Sequence, residues 1–389
     1  MIVLAIAAAI VTANAYYIHP IIGRVADSFG VSHALVGAVP GLNQIALALG
    51  VLLLLPLGDR MSNRRLIILC LLMQVAALAL MAFAQDFALF LLGSTLLGFF
   101  TITPYLLPAY VSKRVAPARL GFVTAVLTTG VVAGVQVSRL SSGAIGEYFG
   151  WRVVYLMAAG LMLVSAIVVP MLMDEDTPQE DPRTAYSRLL ASLLPLALDH
   201  RRVLVSGVIQ GLSFAIFLTV WLGIGLHLIG PELNLGTDTV GYLAAFSALG
   251  LLVTPRLGRW ADGRGAETAR TRFAVVQFAG VLALFLVHYQ WWFLLLPIFI
   301  FSVSGPLIDV TGRMIALRES SVVRTRLMSL YITLMFVGGG LGSWGGTLAY
   351  DLAGWTGTVV LAGLMSATIC LLSVSQSAPP AVNAAVSEG

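Results

Sequence analysis

Two ionisable side chains, Arg139 and Asp309, stand inside apolar runs that are long enough to cross a bilayer. A charge within such a run is costly and by default marks a functional site. Each residue also has a structural alternative. Arg139 can extend its charged end to the membrane surface, and Asp309 can form a fixed pair with Arg313 one turn later. We treat both as candidates for ion coupling and leave these alternatives open.

A second concentration of charge is the loop at positions 56–65, which reads PLGDRMSNRR between two long apolar runs. It contains Asp59, Arg60 and Arg64, and an altered copy containing Asp262 recurs in the second part of the chain. A carboxylate at the start of a helix accepts hydrogen bonds from the free amides there and pairs with arginine. A repeated loop of this kind indicates two related halves.

The composition excludes most soluble classes of protein. Of the 389 residues, 59% are hydrophobic and only 10% are charged, whereas a soluble chain carries roughly 25% charged residues. The net charge of +4 comes from basic residues in short loops, where they set membrane topology and do not indicate nucleic acid. The two cysteines lie far apart in apolar runs. They indicate neither a disulfide nor a metal site, and we expect no cofactor.

Twelve apolar stretches have the length that a helix needs to cross a bilayer. We predict spans near 1–22, 34–57, 66–84, 87–109, 120–141, 152–173, 203–228, 239–255, 272–288, 291–314, 326–349 and 354–375. With twelve spans both termini share one side. All of the 22 basic residues except Arg24, Arg139 and Arg152 then fall toward that side. The excess of positive charge places both termini in the cytoplasm.

The chain divides into two six-helix bundles, and this division gives the predicted domains. Residues 1–173 form the first bundle, 174–202 a polar cytoplasmic linker, 203–375 the second bundle, and 376–389 a disordered tail. The chain begins directly in an apolar run without a basic region before it. We therefore expect no cleaved signal peptide, and either a short cytoplasmic tail or a start further upstream.

These features resemble the major facilitator superfamily over essentially the whole chain. Its loop signature, approximately Gly-x-Leu-Ala-Asp-Arg-x-Gly-Arg-Arg/Lys, is similar to the loop here at Leu57, Asp59, Arg60, Arg64 and Arg65. Span five and the run NAYY at 14–17 resemble bacterial arabinose-efflux or drug-efflux permeases. The resemblance implies an all-α integral membrane fold of 12 transmembrane helices in two pseudo-symmetric six-helix bundles. It also implies a multi-pass protein of the bacterial inner (plasma) membrane that exports small organic molecules, driven by proton antiport.

The resemblance further implies roles for particular residues. Asp59, Arg60, Arg64 and Asp262 would form a latch that gates the cytoplasmic side, although their charges alone also set topology. Spans one, four, seven and ten would line a cavity. The candidates there for contact with substrate are Asn14, Tyr17, Thr101, Tyr105, Gln210, Trp221 and Ser304. A mixed aromatic and polar lining suits an amphipathic organic molecule. The alternative is ordinary polar contact between helices.

Two departures from proton-coupled exporters leave the mechanism open. Span four has Ser94 where many of them carry arginine, and residues 1–22 contain no acid. A uniporter or importer of a sugar or organic acid is therefore an alternative, as is a membrane sensor without transport. The run GLGSWG at 340–345 sits within an apolar span, so we expect close helix packing there and no dinucleotide site. We expect no enzyme activity. The expected partners are a small-molecule substrate, protons and lipid, with no nucleic acid, and the protein is expected to be a monomer.

Overall fold

The structure is a computed structural model, and it describes residues 2–112, 114–174, 193–288 and 290–377. All regular structure in these ranges is helical. The predicted linker and tail lie largely outside them, at 175–192 and 378–389. The division into 1–173, 174–202, 203–375 and 376–389 therefore remains a proposal.

Six membrane crossings make up the first half. Their helices are Ile2–Ala13 and Ile18–Phe29 (span 1), His33–Val36 and Ala38–Leu54 (span 2), Asn63–Phe83 (span 3), Phe87–Phe100 and Thr103–Ser112 (span 4), Pro117–Tyr148 (span 5) and Trp151–Met171 (span 6). A short helix, Leu57–Arg60, joins spans 2 and 3.

The second half begins after a short helix, Leu193–Asp199. Its helices are Arg201–Ile229 (span 7), Thr237–Ser247 and Gly250–Asp262 (span 8), Ala266–Ala283 with a 3₁₀ turn Leu284–His288 (span 9), a 3₁₀ turn Trp291–Leu294 with Leu295–Leu317 (span 10), and Ser321–Ser377 (spans 11 and 12). The last helix is bent at Ala353 and at Gly354, whose φ of 57° favours glycine. This bend separates spans 11 and 12.

Length and composition support these crossings. Ten helices in the described part of the chain are long and apolar enough to cross a membrane. One of them, Arg326–Gln376, contains both spans 11 and 12, and the helix Pro117–Tyr148 supplies span 5. The predicted fold of twelve transmembrane helices is therefore confirmed. Several helices run further than predicted, because polar residues near their ends still form helical backbone hydrogen bonds. Span 1 reaches Phe29 and span 5 reaches Tyr148.

Alternating crossings give the molecule two faces. We call the face with the N-terminus, the Leu57–Arg60 helix and the start of span 7 the near face. The opposite face, which carries Gly30, Gly150 and the loop 230–236, is the far face. Most buried apolar side chains form two clusters that largely follow the two halves.

Small residues bring the helices close together, as lipid-embedded bundles require. A Cβ atom on Gly134 would overlap the backbone of Ala9, so spans 1 and 5 touch directly. Gly340 and Gly342, in the run predicted to be a packing motif, lie against Gly41 of span 2 and Ala215 of span 7. The predicted close packing is confirmed. The contact of Gly340 with Gly41 joins the two halves, whereas that of Gly342 with Ala215 lies within the second half.

Candidate functional site

A cavity of about 690 Å³ lies between the two halves. Its lining combines apolar, aromatic, amide, hydroxyl and charged side chains from both halves. They include Thr12, Tyr16, Leu55, Tyr105, Pro108, Gln136, Arg139, Gln210, Ser213, Phe214, Phe217, Trp221, Ser247, Gln277, Phe301, Ser302, Asp309, Arg313 and Phe336. The volume falls in the range of sites for small organic ligands, which are mostly apolar with a few placed polar groups.

Arg139 is the most unusual lining residue, because its side chain is completely buried. Its Nε donates to Nδ1 of His19 at 3.2 Å and its Nη1 donates to Oε1 of Gln136 at 3.2 Å. Its Nη2 is buried without a hydrogen-bond partner among the described residues. None of the ion pairs found in the described ranges includes Arg139. The side chain points into the protein and is not exposed on the outside of the bundle, which disfavours the alternative in which its charged end extends to the membrane surface.

Aromatic rings surround this guanidinium. Its central carbon lies 4.1 Å from the ring centre of Trp221, 4.7 Å from that of Phe217 and 5.4 Å from that of Tyr16. Cation–π attraction stabilises a desolvated arginine in this position. Trp221 and Phe217 belong to the second half and Arg139 to the first, so the contact also joins the halves.

Asp309 lies at the other end of the cavity, and both of its carboxylate oxygens accept hydrogen bonds. Arg313 Nε donates to both of its carboxylate oxygens at 2.9 Å, and the hydroxyl of Tyr331 donates to its Oδ1 at 3.0 Å. This is the pair one turn apart that the sequence suggested as the structural alternative. The arrangement neutralises the acid, while both charged side chains still line the cavity.

The structure brings five of the predicted site residues into one lining. They are Tyr105, Gln210, Trp221, Arg139 and Asp309. Thr101 lines a small adjoining pocket, and its hydroxyl donates to the carbonyl of Leu97.

Three other candidates contact protein and not the cavity. Asn14 Nδ2 donates to Oε1 of Gln74 at 3.3 Å, Tyr17 packs in the core of the first half, and the hydroxyl of Ser304 donates to the carbonyl of Ile300 at 2.8 Å. A role for these three in binding remains a prediction.

Sequence reasoning overlooked Tyr16 and Gln136, which line the cavity. Span 1 is broken into turns between Ala13 and Ile18, so regular helical spacing across Asn14 to Tyr17 did not indicate that Tyr16 faces the cavity. The position of Gln136 could have been predicted from its spacing to Arg139. It precedes Arg139 by one helical turn and therefore shares its face. It also donates to Ser247 of span 8.

The candidate gating residues are only partly described. Arg64 Nε donates to the carbonyl of Pro170 at the near end of span 6, at 3.1 Å. The side chains of Asp59, Arg60 and Asp262 lie outside the described residues. The latch at the near face therefore stays a prediction.

Polar contacts join the two halves at the far face. Glu147, in the last turn of span 5, accepts from Arg24 of span 1 at 2.6 Å and from the backbone N–H of Thr237, the first residue of span 8, at 2.8 Å. Nearby, Nδ1 of His33 lies 3.6 Å from a carboxylate oxygen of Asp351. We call Arg24, Glu147 and Thr237 the far-face latch. These contacts hold the two halves together at the far face.

Known proteins resemble this chain along nearly all of its length. A family model described as Major Facilitator Superfamily matches residues 4–321. The chain is 26% identical to an uncharacterized transporter, YgaY, of Escherichia coli O157:H7, covering 96% of this chain and 94% of the relative. It is 27% identical to the probable transporter SCO4007 of Streptomyces coelicolor, with 92% and 83% covered. It is 22% identical to the multidrug resistance protein MdtG of Salmonella typhimurium, with 70% and 68% covered.

Solved structures share the fold at low sequence identity. A bacterial homolog of the human lysosomal transporter Spinster, inward-facing and unoccupied, has a TM-score of 0.77 at 14% identity, with 96% of each chain covered. The nucleoside transporter NupG has a TM-score of 0.76 at 13% identity, with 96% of this chain and 99% of that chain covered.

Proposed function

The chain belongs to the major facilitator superfamily, and we propose that it exports a small organic molecule across the bacterial inner membrane by alternating access. Its family and relatives are multi-pass membrane transporters. The single observation that carries the proposal is the cavity between the halves, which is lined by residues of both. A transporter that rocks two halves about a central site needs this arrangement.

We propose that the structure represents the inward-facing state, with the near face in the cytoplasm. The excess of basic residues on the near side supports this orientation. The similarity to a relative crystallised in its inward-facing form supports the assignment of the state. Export then begins with capture of substrate from the cytoplasm. Because one chain lines the whole cavity in the described ranges, a monomer suffices as the transport unit.

Proton antiport is the proposed coupling, and Asp309 is its candidate carrier. It is an acid that lines the cavity, and protonation would release Arg313 for another partner. The second candidate function is a uniporter or importer of a small solute. Engagement of Asp309 by both Arg313 and Tyr331 favours it, because a fixed pair does not exchange protons readily. Similarity to a multidrug resistance protein favours export.

Transport by purified protein in proteoliposomes tests the proposal. An imposed pH gradient should drive movement of at least one solute from a panel of organic acids, amides, amines and sugars, and collapse of the gradient with nigericin should stop net movement. Solute exchange that ignores the pH gradient would favour the uniporter. No movement of any solute above protein-free vesicles would contradict a transport function for this panel.

A further inference from the structure

The charge of the cavity lining does not balance. Among the described lining residues, the ionisable ones apart from tyrosines are Arg139, Asp309 and Arg313. The acid is paired with Arg313 by two bonds of 2.9 Å, so the described lining keeps one unpaired positive charge, on Arg139. A buried charge without a counter-ion is expensive, and proteins normally pair it. The cavity lining is therefore electrostatically complementary to an anion.

The donors of Arg139 are arranged to receive that anion. A guanidinium has five N–H donors, and the described partners, His19 Nδ1 and Gln136 Oε1, are both neutral acceptors. The Nη2 group, which carries two of these donors, is buried and has no partner among the described residues. Adjacent N–H groups on a guanidinium match the two oxygens of a carboxylate or phosphate. These free donors belong to a residue that lines the cavity.

The rings around Arg139 define the rest of the ligand. Tyr16, Phe217 and Trp221 hold the guanidinium from the sides, and Phe214 stacks on Phe217 with ring centres 5.7 Å apart. Flat apolar groups pack well on such faces at low entropic cost. An organic cation fits poorly here, because the guanidinium already occupies the aromatic cage and would repel it.

We propose that the substrate is an amphipathic organic anion, whose carboxylate or phosphate pairs with Arg139 and whose flat apolar body packs against the rings of spans 1 and 7. The inference rests on the proposed transport function and names the chemical class that the same cavity accepts. Arg139 is then a substrate-binding residue, and the proton-coupling role predicted from sequence falls to Asp309.

Binding to the purified full-length protein in nanodiscs tests the proposal without requiring transport. The probes are 2-naphthoate and 1-naphthyl phosphate, with 2-naphthamide as a neutral counterpart and 2-naphthylmethylammonium as a cationic one. Thermal shift and tryptophan fluorescence report occupancy, since Trp221 lies beside Arg139. We expect at least one anion to bind at least about tenfold more tightly than both counterparts, because charge-assisted hydrogen bonds are the stronger ones.

Variants locate the anion site. Arg139→Gln should weaken anion binding at least about tenfold and leave naphthamide binding nearly unchanged, whereas Arg139→Lys should restore part of the anion preference. Arg270→Gln is the matched control. Arg270 is also fully buried, but it contacts Ser206 and Gln376 outside the cavity. Its replacement should leave the relative affinities of the four probes unchanged.

Several results would overturn the anion proposal. They are equal or tighter binding of the amide or the cation, no binding of either anion, or anion binding that Arg139→Gln does not weaken. If Arg139→Gln fails to fold, the comparison of the four probes on the unmodified protein still decides. The transport proposal is judged separately. Transport of the amide or the cation would support transport while contradicting the anion class. Anion binding without any transport would support the anion class while contradicting transport.

Discussion

At the scale of single residues, the two buried ionisable groups differ in how completely they are paired. The sequence placed both within spans and predicted the partner of Asp309 from its spacing to Arg313, which the structure confirms. It could not predict the surroundings of Arg139. The rings that surround its guanidinium are Phe217 and Trp221 from span 7 and Tyr16 from the break in span 1. Contacts between distant parts of the chain have no signature in local spacing.

Asp309→Asn should lower the stability of the folded protein. The substitution leaves Arg313 without its acid and removes the charged acceptor of the Tyr331 hydroxyl. Loss of one partner of a partly buried pair costs about 1–3 kcal/mol, which should appear as a lower melting temperature in detergent. The double variant Asp309→Asn/Arg313→Gln should recover part of the loss. A double variant no better than the single one would show that the pair is not the cause.

Asp309→Asn also tests whether transport is coupled to protons. If Asp309 is the carrier, Asp309→Asn should abolish transport driven by a pH gradient while solute exchange continues. Parallel measurement of both activities at equal amounts of folded protein separates this outcome from simple instability. Full pH-driven transport in the variant would eliminate Asp309 as an essential carrier.

Tyr105→Ala should weaken substrate affinity with little loss of stability, because Tyr105 lines the cavity and its ring also meets Phe336, with centres 5.9 Å apart. Tyr17→Ala is the matched control. Tyr17 is buried in the core, so its removal should cost about 3–5 kcal/mol of stability, as other large core truncations do, with affinity preserved in the protein that folds. Affinity and melting temperature are measured on both variants. Weaker substrate affinity in Tyr17→Ala with little loss of stability would indicate that Tyr17 contacts the substrate.

At the scale of helices, the hydrophobic runs predicted the approximate lengths and the order of the spans. They did not predict where helices are interrupted or where they end. Apolar spacing did not show the interruption in span 1 between Ala13 and Ile18, although Pro20, which cannot donate to the carbonyl of Tyr16 and crowds it, was a usable sign. The close approaches were partly visible as glycines, because only a residue without a Cβ atom allows two helix backbones to touch. Which glycines do so depends on the partner helix, which the sequence does not specify.

Gly134→Ala should disturb the packing of spans 1 and 5, since a Cβ atom there would overlap the backbone of Ala9. Overpacking of this kind costs about 1–3 kcal/mol. Gly160→Ala is the control, because a Cβ atom at Gly160 has no neighbour within 4 Å. Thermal melting should show a clear loss for the first variant and none for the second. Equal effects would mean that helix propensity, and not packing, controls both positions.

At the scale of the whole molecule, the two halves and their twelve crossings were predictable because hydrophobic length and loop charge are read directly from sequence. The conformational state was not, since it depends on which polar ends meet across the halves. Glu147 and Thr237 are 90 positions apart in sequence. Neither residue belongs to the repeated charged loop that suggested a gate.

The far-face latch depends on the carboxylate of Glu147, which accepts from Arg24 and from the backbone N–H of Thr237. Hydrogen bonds to a charged acceptor are the stronger ones. Glu147→Gln should therefore weaken the latch and lengthen the far-face distance at neutral pH. An unchanged far-face distance in Glu147→Gln would contradict the latch.

The central claim, alternating access about the cavity, is tested most directly by electron spin resonance distances at both faces. Spin labels are placed at positions 27 and 232 on the far face and at 116 and 320 on the near face, after Cys70 and Cys370 are replaced by alanine. Addition of a substrate that binds, or a change of pH, should lengthen the distance between labels 27 and 232 and shorten the distance between labels 116 and 320. Both shifts should occur in the same samples. Distances that stay fixed under every condition, or that change in the same direction at both faces, would contradict alternating access.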